Sequence, residues 1–169
     1  LRVGDHVLTR DNGAQVLRWV GTTRRVAVGP DAPIIFERNA IGDHGAVAFS
    51  PNHRVVVKSP HVARLLEGDE MRVKAAHLVN EKTIRQQTGS GVVTYCHLLF
   101  DRHEIIFANG LESESYHPGA ETLGSFDNST KQELFDLFPE LETGDYGPIA
   151  RPCLRAHEGR LLSQVYALH

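Results

Sequence analysis

The sequence predicts a mostly β fold with a small helical extension at the carboxyl end of the chain. The first 110 residues consist of short apolar runs separated by turn residues, and this close spacing is typical of an antiparallel β domain. After Gly110 the composition becomes acidic, and the apolar residues follow a helical period. We therefore expect a β domain over residues 1–110 and a helical extension over residues 111–169 that packs against it.

Composition limits the classes of partner. The chain has 169 residues, of which 41% are hydrophobic and 23% are charged, as in globular proteins with a proper core. The net charge of -3 predicts no nucleic-acid partner, because such a partner requires a basic face. No apolar run approaches the roughly 20 residues needed to span a bilayer, so we expect no membrane span. Cys96 and Cys153 form no zinc-binding pattern, and we expect no cofactor.

The first hairpin is predicted by "HVLTRDNGAQVLRWVGTTRRVAV". Two alternating apolar runs flank Asn12-Gly13, which is among the strongest hairpin signals because both residues tolerate a positive φ. Gly21 interrupts the second run and predicts a bend or bulge there.

The remaining strands follow at short intervals. "PIIF" predicts a short strand, and "AVAF" and "HRVVVK" flank the turn Ser50-Pro51-Asn52, which predicts that they pair with each other. "TIRQQ" and "VVTYCHLLF" are separated by a Gly- and Ser-rich turn, and "EIIFANG" closes the series. We expect a core of apolar strand residues: Val7, Val16, Trp19, Ile34, Ile35, Val55, Val57, Leu98, Ile105 and Phe107.

Helical stretches are few. "HVARLL" after Ser59-Pro60 predicts a short helix, and "AAHLV" predicts a single turn. In the extension, Ser129 is predicted to cap "TKQELFDLF", with Leu134, Leu137 and Phe138 along one face. "LRAHEGRLLSQVYAL" predicts a last helix after the extended segment "YGPIARPC".

The turn between "AVAF" and "HRVVVK" carries the first candidate for chemistry. On local physics, Ser50 and Asn52 hydrogen-bond the turn backbone and His53 simply begins a strand. Alternatively, the Ser50 hydroxyl and the His53 imidazole converge on one peptide group. The imidazole would then protonate a departing amide nitrogen, and the hydroxyl would stabilise the developing oxyanion.

The segment "TYCHLLFDRHEIIFANG" carries the second candidate. On local physics Cys96 is a small buried hydrophobic residue and His103 is a polar residue at the end of a turn. Alternatively, the turn at Asp101-Arg102 folds His103 back toward the strand that contains Cys96. A third interpretation is a metal site built from His53, His97 and His103. Their spacing matches no compact ligand motif, and no acidic ligand is evident with them.

Four stretches together resemble the Hint superfamily, which contains the hedgehog and intein autoprocessing modules. "LRVGDHVLTRDNGAQVLRWVG" resembles the first hairpin of that family, and "FSPNHRVVV" is similar to its block of Thr or Ser, two residues and His. "EMRVKAAHLV" and "VTYCHLLFDRHEIIFANGLESESY" resemble later blocks in the expected order. The tail "ELFDLFPEL…YGPIARPCLRAHEGRLL" is similar to the tails of bacterial Hint-domain proteins with a helical extension. The resemblance implies a flattened antiparallel fold with pseudo-twofold character.

The resemblance also implies self-directed chemistry. In Hint domains an N-terminal Cys or Ser attacks the carbonyl before it, and a second nucleophile resolves the resulting thioester or ester. Carried over to this chain, Ser50 is the hydroxyl on the oxyanion side and His53 donates the proton to the leaving nitrogen. His103 corresponds to a histidine that assists resolution. Cys96 corresponds to a position that is a nucleophile in a minority class of inteins.

Two departures from the family narrow the expected activity. The family's nucleophile and first strand lie some two dozen residues before the motif that begins at Leu1, so residues 1–110 are expected to lack both. Splicing inteins end in His-Asn, whereas "FANG" here continues into "LESESY". We therefore expect cleavage on the N-terminal side without splicing.

The expected substrate is the upstream polypeptide of the protein itself, with water, an amine or an alcohol as the resolving nucleophile. The alternative is an inactive Hint-derived structural or interaction module of a larger secreted bacterial protein. An ordinary metal-dependent hydrolase is a third and weaker alternative.

Overall fold

The structure is a computed structural model that describes residues 1–58, 70–89, 91–119, 123–124, 126–144 and 146–168. Its body is antiparallel β, which confirms the predicted fold class. The strands are β1 His6–Thr9, β2 Gly13–Val16, β3 Trp19–Val26, β4 Ile34–Phe36, β5 Val47–Phe49, β6 Arg54–Lys58, β7 Glu70–Lys74, β8 Ile84–Gln86, β9 Val92–Leu99, β10 Ile105–Ala108 and β11 Leu111–Glu114.

Helices are short and lie mainly near the carboxyl end, as predicted. Within the described residues, the α-helices are α1 Asn128–Leu137 and α2 Ala156–Tyr166, and the 3₁₀ turns are Gly29–Asp31, Ala75–Leu78 and Pro139–Thr143. The 3₁₀ turn Ala75–Leu78 is the single turn expected for "AAHLV". The short helix predicted for "HVARLL" lies outside the described residues.

The largest sheet has six strands in the order β2-β1-β10-β11-β6-β7. Strand β11 lies inside this sheet because Asn109-Gly110 forms a two-residue hairpin turn, in which φ is 50° at Asn109 and 90° at Gly110. Positive φ at both positions matches the right-handed twist of paired strands. The β structure therefore continues past Gly110, where the sequence predicted that the β domain ends.

Strands β3 and β9 form a separate two-stranded ribbon. The bend or bulge predicted at Gly21 is wrong, because Gly21 pairs with His97 inside a regular ladder. The glycine is required for another reason. A Cβ at position 21 would lie 1.8 Å from Cη2 of Trp19, so the indole ring lies directly over the Gly21 backbone. The glycine at this position is therefore explained by the closely packed Trp19 ring and not by a distortion of the strand.

The pairing predicted between "AVAF" and "HRVVVK" is also wrong. Strand β5 pairs with β4 in a three-stranded sheet of order β5-β4-β8, whereas β6 pairs with β11 and β7 in the large sheet. The intervening turn therefore carries the chain from one sheet to another. Turn residues show that the chain reverses, but they do not show which strand lies beside the next one.

The core contains five of the ten predicted residues as fully buried side chains: Trp19, Ile34, Val55, Val57 and Ile105. Val7, Ile35 and Leu98 are half-buried. The prediction is wrong for Val16 and Phe107, which are 40% and 42% exposed. Val16 belongs to the edge strand β2, and Phe107 lies on the opposite face of β10 from buried Ile106.

The two faces of the large sheet differ in chemistry. On β6, Val55 and Val57 are buried in the apolar core, while the alternate residues Arg54 and Lys58 point to the other face, as the two-residue period of a strand requires. We call this other face the charged face. There Glu112 pairs with Lys58 at 2.7 Å, in one of a row of ion pairs.

The extension packs its apolar residues on the ribbon and on the core. Leu134 and Phe138 are buried against Trp19, but Leu137 is 41% exposed and does not share their face. Asp127, not Ser129, caps helix α1, since its carboxylate accepts a hydrogen bond from the backbone N–H of Thr130 at 2.8 Å. Both residue types cap helices, so local sequence does not decide between them.

Candidate functional site

The turn Ser50-Pro51-Asn52-His53 is held firmly in place. The backbone N–H of His53 donates to the carbonyl of Ser50 at 3.0 Å and closes the turn. Ala75 and Ala76 then donate backbone hydrogen bonds to the carbonyls of His53 and Pro51, at 2.8 and 3.1 Å. The turn is therefore fixed to the 3₁₀ turn that follows β7, and the direction of the His53 side chain is set by backbone hydrogen bonds.

The His53 ring lies against the apolar core with one nitrogen uncommitted. It stacks on Phe49 with the ring centroids 4.6 Å apart and an angle of 7° between the planes. The residue as a whole is half-buried, but Nε2 is shielded from solvent and has no hydrogen-bond partner among the described residues. A buried polar atom without a partner costs free energy, so its place on a rigid turn requires an explanation.

Burial lowers the pKa of His53 to about 3, and the positive electrostatic contributions of His97 and Arg54 lower it further. At neutral pH the ring is therefore uncharged. A neutral imidazole carries one N–H donor and one acceptor nitrogen, so it can both donate and accept a proton during a reaction.

His97 is the second imidazole near this position. Its Nε2 lies 2.9 Å from the hydroxyl of Thr23, and its ring contacts Tyr116 and Phe126 edge to face, with centroids 5.2 and 5.5 Å away. Burial lowers the pKa of His97, with a smaller contribution from Arg25. His97 is therefore also neutral at neutral pH.

Ser50 is half-buried and shares the turn with His53. Its backbone carbonyl is occupied by the turn hydrogen bond. Asn52 was expected to bond the turn backbone, but its side-chain oxygen accepts a hydrogen bond from Lys74 Nζ at 3.0 Å. The sequence-predicted Ser50 and His53 therefore lie together, on one rigid turn.

His103 lies among charged side chains on the charged face. It is 4% exposed, its Nδ1 accepts a hydrogen bond from the backbone N–H of Ala150 at 3.0 Å, and its Nε2 is 3.7 Å from a carboxylate oxygen of Glu114. Glu114 forms ion pairs with Arg72 and, at 3.2 Å, with Arg54. We call these four residues, Arg54, Arg72, His103 and Glu114, the Glu114 cluster.

Burial lowers the pKa of His103 to about 3, and the nearby Arg72 and His117 add to the shift. Because Nδ1 accepts the Ala150 hydrogen bond, the proton of the neutral ring is on Nε2, which faces Glu114. Nε2 lies beyond hydrogen-bond distance of that carboxylate and, like Nε2 of His53, has no hydrogen-bond partner among the described residues. His53 instead packs on Phe49 in the apolar core, so the two histidines lie on different sides of the sheet.

Cys96 is exposed, and its thiol is free and forms no disulfide with Cys153. It lies opposite Thr22 in the ribbon and next to His97 in sequence, so its side chain points to the other face of β9. Cys153 is likewise a free, exposed cysteine. The structure therefore places Ser50 and His53 on one turn, with His97 near enough to act electrostatically on His53, and it places His103 on the charged face and Cys96 on the other face of β9 from His97.

Sequence reasoning considered His97 only as a metal ligand, and it did not consider Thr23. The pairing of the two residues depends on the register of β3 against β9, which joins positions more than 70 residues apart. Two long alternating runs indicated that strands exist here, but not that they pair.

Neither a metal centre nor a membrane span is seen in the described part of the chain. No group of three or more His, Cys, Asp or Glu residues there is arranged to hold a metal ion, and this includes the alternative set of His53, His97 and His103. None of the described helices is long and apolar enough to cross a bilayer.

The sequence matches a known class of domain. The model of the Hint domain family matches residues 1–120, which include the eleven strands of the described residues and the His53 turn. The chain belongs to the Hint domain family. Neither a curated protein nor a solved structure matches it significantly.

Proposed function

We propose that this Hint domain is self-processing and cleaves the peptide bond on its N-terminal side through an N-to-S or N-to-O acyl shift, without splicing. The observation that carries the proposal is the uncommitted, buried Nε2 of His53 on a turn fixed by backbone hydrogen bonds. The substrate is the upstream polypeptide of the same protein.

The chemistry requires a group of this kind. An amide nitrogen is a poor leaving group until it is protonated, and the attacking thiol or hydroxyl must lose its own proton. In the acyl shift, the nucleophile forms a bond to the carbonyl carbon and the C–N bond breaks. The nucleophile's proton ends on the departing nitrogen. A neutral imidazole in contact with both groups can carry that proton, and His53 is neutral at neutral pH.

Ser50 is proposed to stabilise the oxyanion of the tetrahedral intermediate, because its hydroxyl is on the same fixed turn as His53. The resemblance assigns His103 to the resolution step and Cys96 to an additional nucleophile. The exposed position of Cys96 leaves its thiol accessible, but on the other face of β9 from His97. The contacts of His103 favour a structural role within the Glu114 cluster.

The experiment is mass spectrometry of the chain expressed with its natural upstream residues. We expect two fragments that meet at a Cys or Ser upstream of Leu1, and their formation should fall by at least about a hundredfold in His53→Ala, as for loss of a general acid–base group. His157→Ala is the matched control, because His157 is an exposed histidine on α2.

A chain that stays intact and also resists cleavage by added thiol or hydroxylamine would contradict the proposal. That result would favour the alternative, an inactive Hint-derived structural or interaction module of a larger secreted protein.

A further inference from the structure

A self-processing domain must also resolve the ester or thioester that it forms. Resolution by water requires a base that removes a proton from the attacking water molecule. His103 lies beside Glu114 on the charged face, whereas His53 packs on Phe49 in the apolar core, so we look for the base among other residues near His53. His97 is the other imidazole in that region.

The position of His97 is fixed by the ribbon. Strands β3 and β9 pair without interruption from Trp19 opposite Leu99 to Val26 opposite Val92. In this register His97 lies opposite Gly21, and Thr23 is its diagonal neighbour on the same face. The 2.9 Å contact between the Thr23 hydroxyl and Nε2 of His97 therefore connects two rigidly paired strands.

Aromatic side chains hold the His97 ring from the other side. Tyr116 and Phe126 both contact it edge to face, and they also contact each other and Trp19. Trp19 in turn lies over Gly21, directly opposite His97. A ring held by this many neighbours keeps a single orientation, which a catalytic base requires.

The ribbon is joined to the His53 region by the segment after β11. The backbone N–H of Tyr116 donates to the carbonyl of Leu98, next to His97, at 2.8 Å. In the register that pairs Ser113 with Val55, the residue before Tyr116 falls opposite His53. The electrostatic effect of His97 on His53 is consistent with this proximity.

We propose that His97, oriented by Thr23, is the catalytic base that activates water in the resolution step. This inference rests on the proposed function and deepens it, because it names water as the resolving nucleophile. The His97 ring is uncharged at neutral pH, and this is the form that a base requires.

A water molecule attacks the carbonyl carbon of the ester or thioester, and His97 takes one of its protons. A new C–O bond forms, and the bond from carbon to the Ser oxygen or Cys sulfur breaks. The departing oxygen or sulfur then recovers the proton from the His97 imidazolium, which leaves a carboxylic acid and a free hydroxyl or thiol.

The test uses the chain with its natural upstream residues and follows two routes of release by mass spectrometry. Spontaneous release reports on the acyl shift followed by hydrolysis, and release by added hydroxylamine reports on the acyl shift alone. In His97→Gln we expect spontaneous release to fall by at least about a hundredfold while hydroxylamine release continues at the wild-type rate.

Thr23 provides a graded second test. Thr23→Val should slow spontaneous release, and Thr23→Ser, which retains the hydroxyl, should restore most of it. Thr22→Val is the matched control because Thr22 is exposed on the other face of β3. In the wild type, spontaneous release should become slower as the pH falls, because His97 becomes protonated.

Wild-type spontaneous release in His97→Gln, or an equal loss by both routes, would overturn the role of His97 and leave the proposed function standing. Loss of spontaneous release in His103→Gln but not in His97→Gln would assign resolution to His103 instead. A wild-type chain that releases nothing by either route would overturn both the inference and the proposed function.

Discussion

His53 and His103 are two shielded histidines whose pKa is lowered to the same value, about 3, yet their surroundings differ. Nδ1 of His103 accepts a hydrogen bond from Ala150, and its Nε2, which has no hydrogen-bond partner among the described residues, lies 3.7 Å from the Glu114 carboxylate. His53 is fixed by its backbone and stacks on Phe49, but its Nε2 has no hydrogen-bond partner among the described residues.

The comparison shows that a shifted pKa alone does not identify a functional histidine. Burial shifts the pKa of both rings in the same direction, because a low dielectric disfavours the charged form wherever it occurs. What differs is the surroundings of the ring: His103 accepts a hydrogen bond from Ala150 and lies beside the Glu114 carboxylate, whereas His53 stacks on Phe49 of the apolar core. An uncommitted atom on a rigid turn is a destabilising feature, and destabilising features concentrate at functional sites.

The largest expected effect comes from breaking the Glu114 cluster. Glu114→Ala removes the carboxylate that pairs with Arg72, which is 4% exposed, and leaves that guanidinium buried without its anion. We expect the free energy of unfolding, measured by urea denaturation, to fall by about 3–5 kcal/mol.

The matched control for Glu114 is Glu37→Ala. Glu37 pairs with Arg85 on the surface, where the two side chains are 47% and 51% exposed. This change should cost less than about 1 kcal/mol. Equal losses in the free energy of unfolding of the two variants would show that the ion pairs of the Glu114 cluster stabilise the fold no more than a surface ion pair does.

The second prediction compares the same substitution, histidine to leucine, at His103 and at His53. His103→Leu leaves the Ala150 N–H without its acceptor and should reduce the free energy of unfolding by about 1–3 kcal/mol. His53→Leu removes a buried polar atom that has no partner, so it should be neutral or stabilising. Thermal and urea denaturation of both variants measure whether each substitution lowers or raises the free energy of unfolding. A larger loss in His53→Leu than in His103→Leu would contradict the assignment.

The smallest expected effect is the dependence of stability on pH. In the unfolded chain histidine binds a proton with a pKa near 6.5, but the folded protein resists protonation of His53 and His103 down to about pH 3. The unfolded state therefore binds more protons between these values, and the free energy of unfolding falls as the pH decreases through that window.

Between pH 7 and pH 6 the loss should be less than about 1 kcal/mol for each histidine, since full titration changes the free energy by about 1.4 kcal/mol per pH unit. Urea denaturation at the two pH values measures it. The double variant His53→Leu, His103→Leu should show a smaller dependence. Stability that rises on acidification would contradict the lowered pKa values.

Local sequence predicted the strands, turns and helices of this fold better than it predicted which strands lie beside each other. The Asn12-Gly13 hairpin, the 3₁₀ turn after β7 and the last helix depend on signals within a few residues, and each is present. The partner of β5 depends on which sheet it joins, and Phe107 lies opposite Glu112 because of how β10 pairs with β11. These are tertiary facts that no short pattern contains.

The same limit applies to the site. The pattern around Ser50 and His53 was visible in the sequence because both residues lie in one turn. His97 and Thr23 were missed because only the register of β3 and β9 joins them. His103 drew attention through its place in a family block, but its contacts with Ala150 and Glu114 depend on segments distant in sequence.

The most direct test of the central claim is a time course of upstream release for the wild type and for His53→Leu, with hydroxylamine present and with the folded fraction measured in parallel. We expect the wild type to release its upstream polypeptide and His53→Leu, folded and at least as stable, to release none. Release at the wild-type rate from folded His53→Leu would contradict the assignment of His53 to the scissile amide.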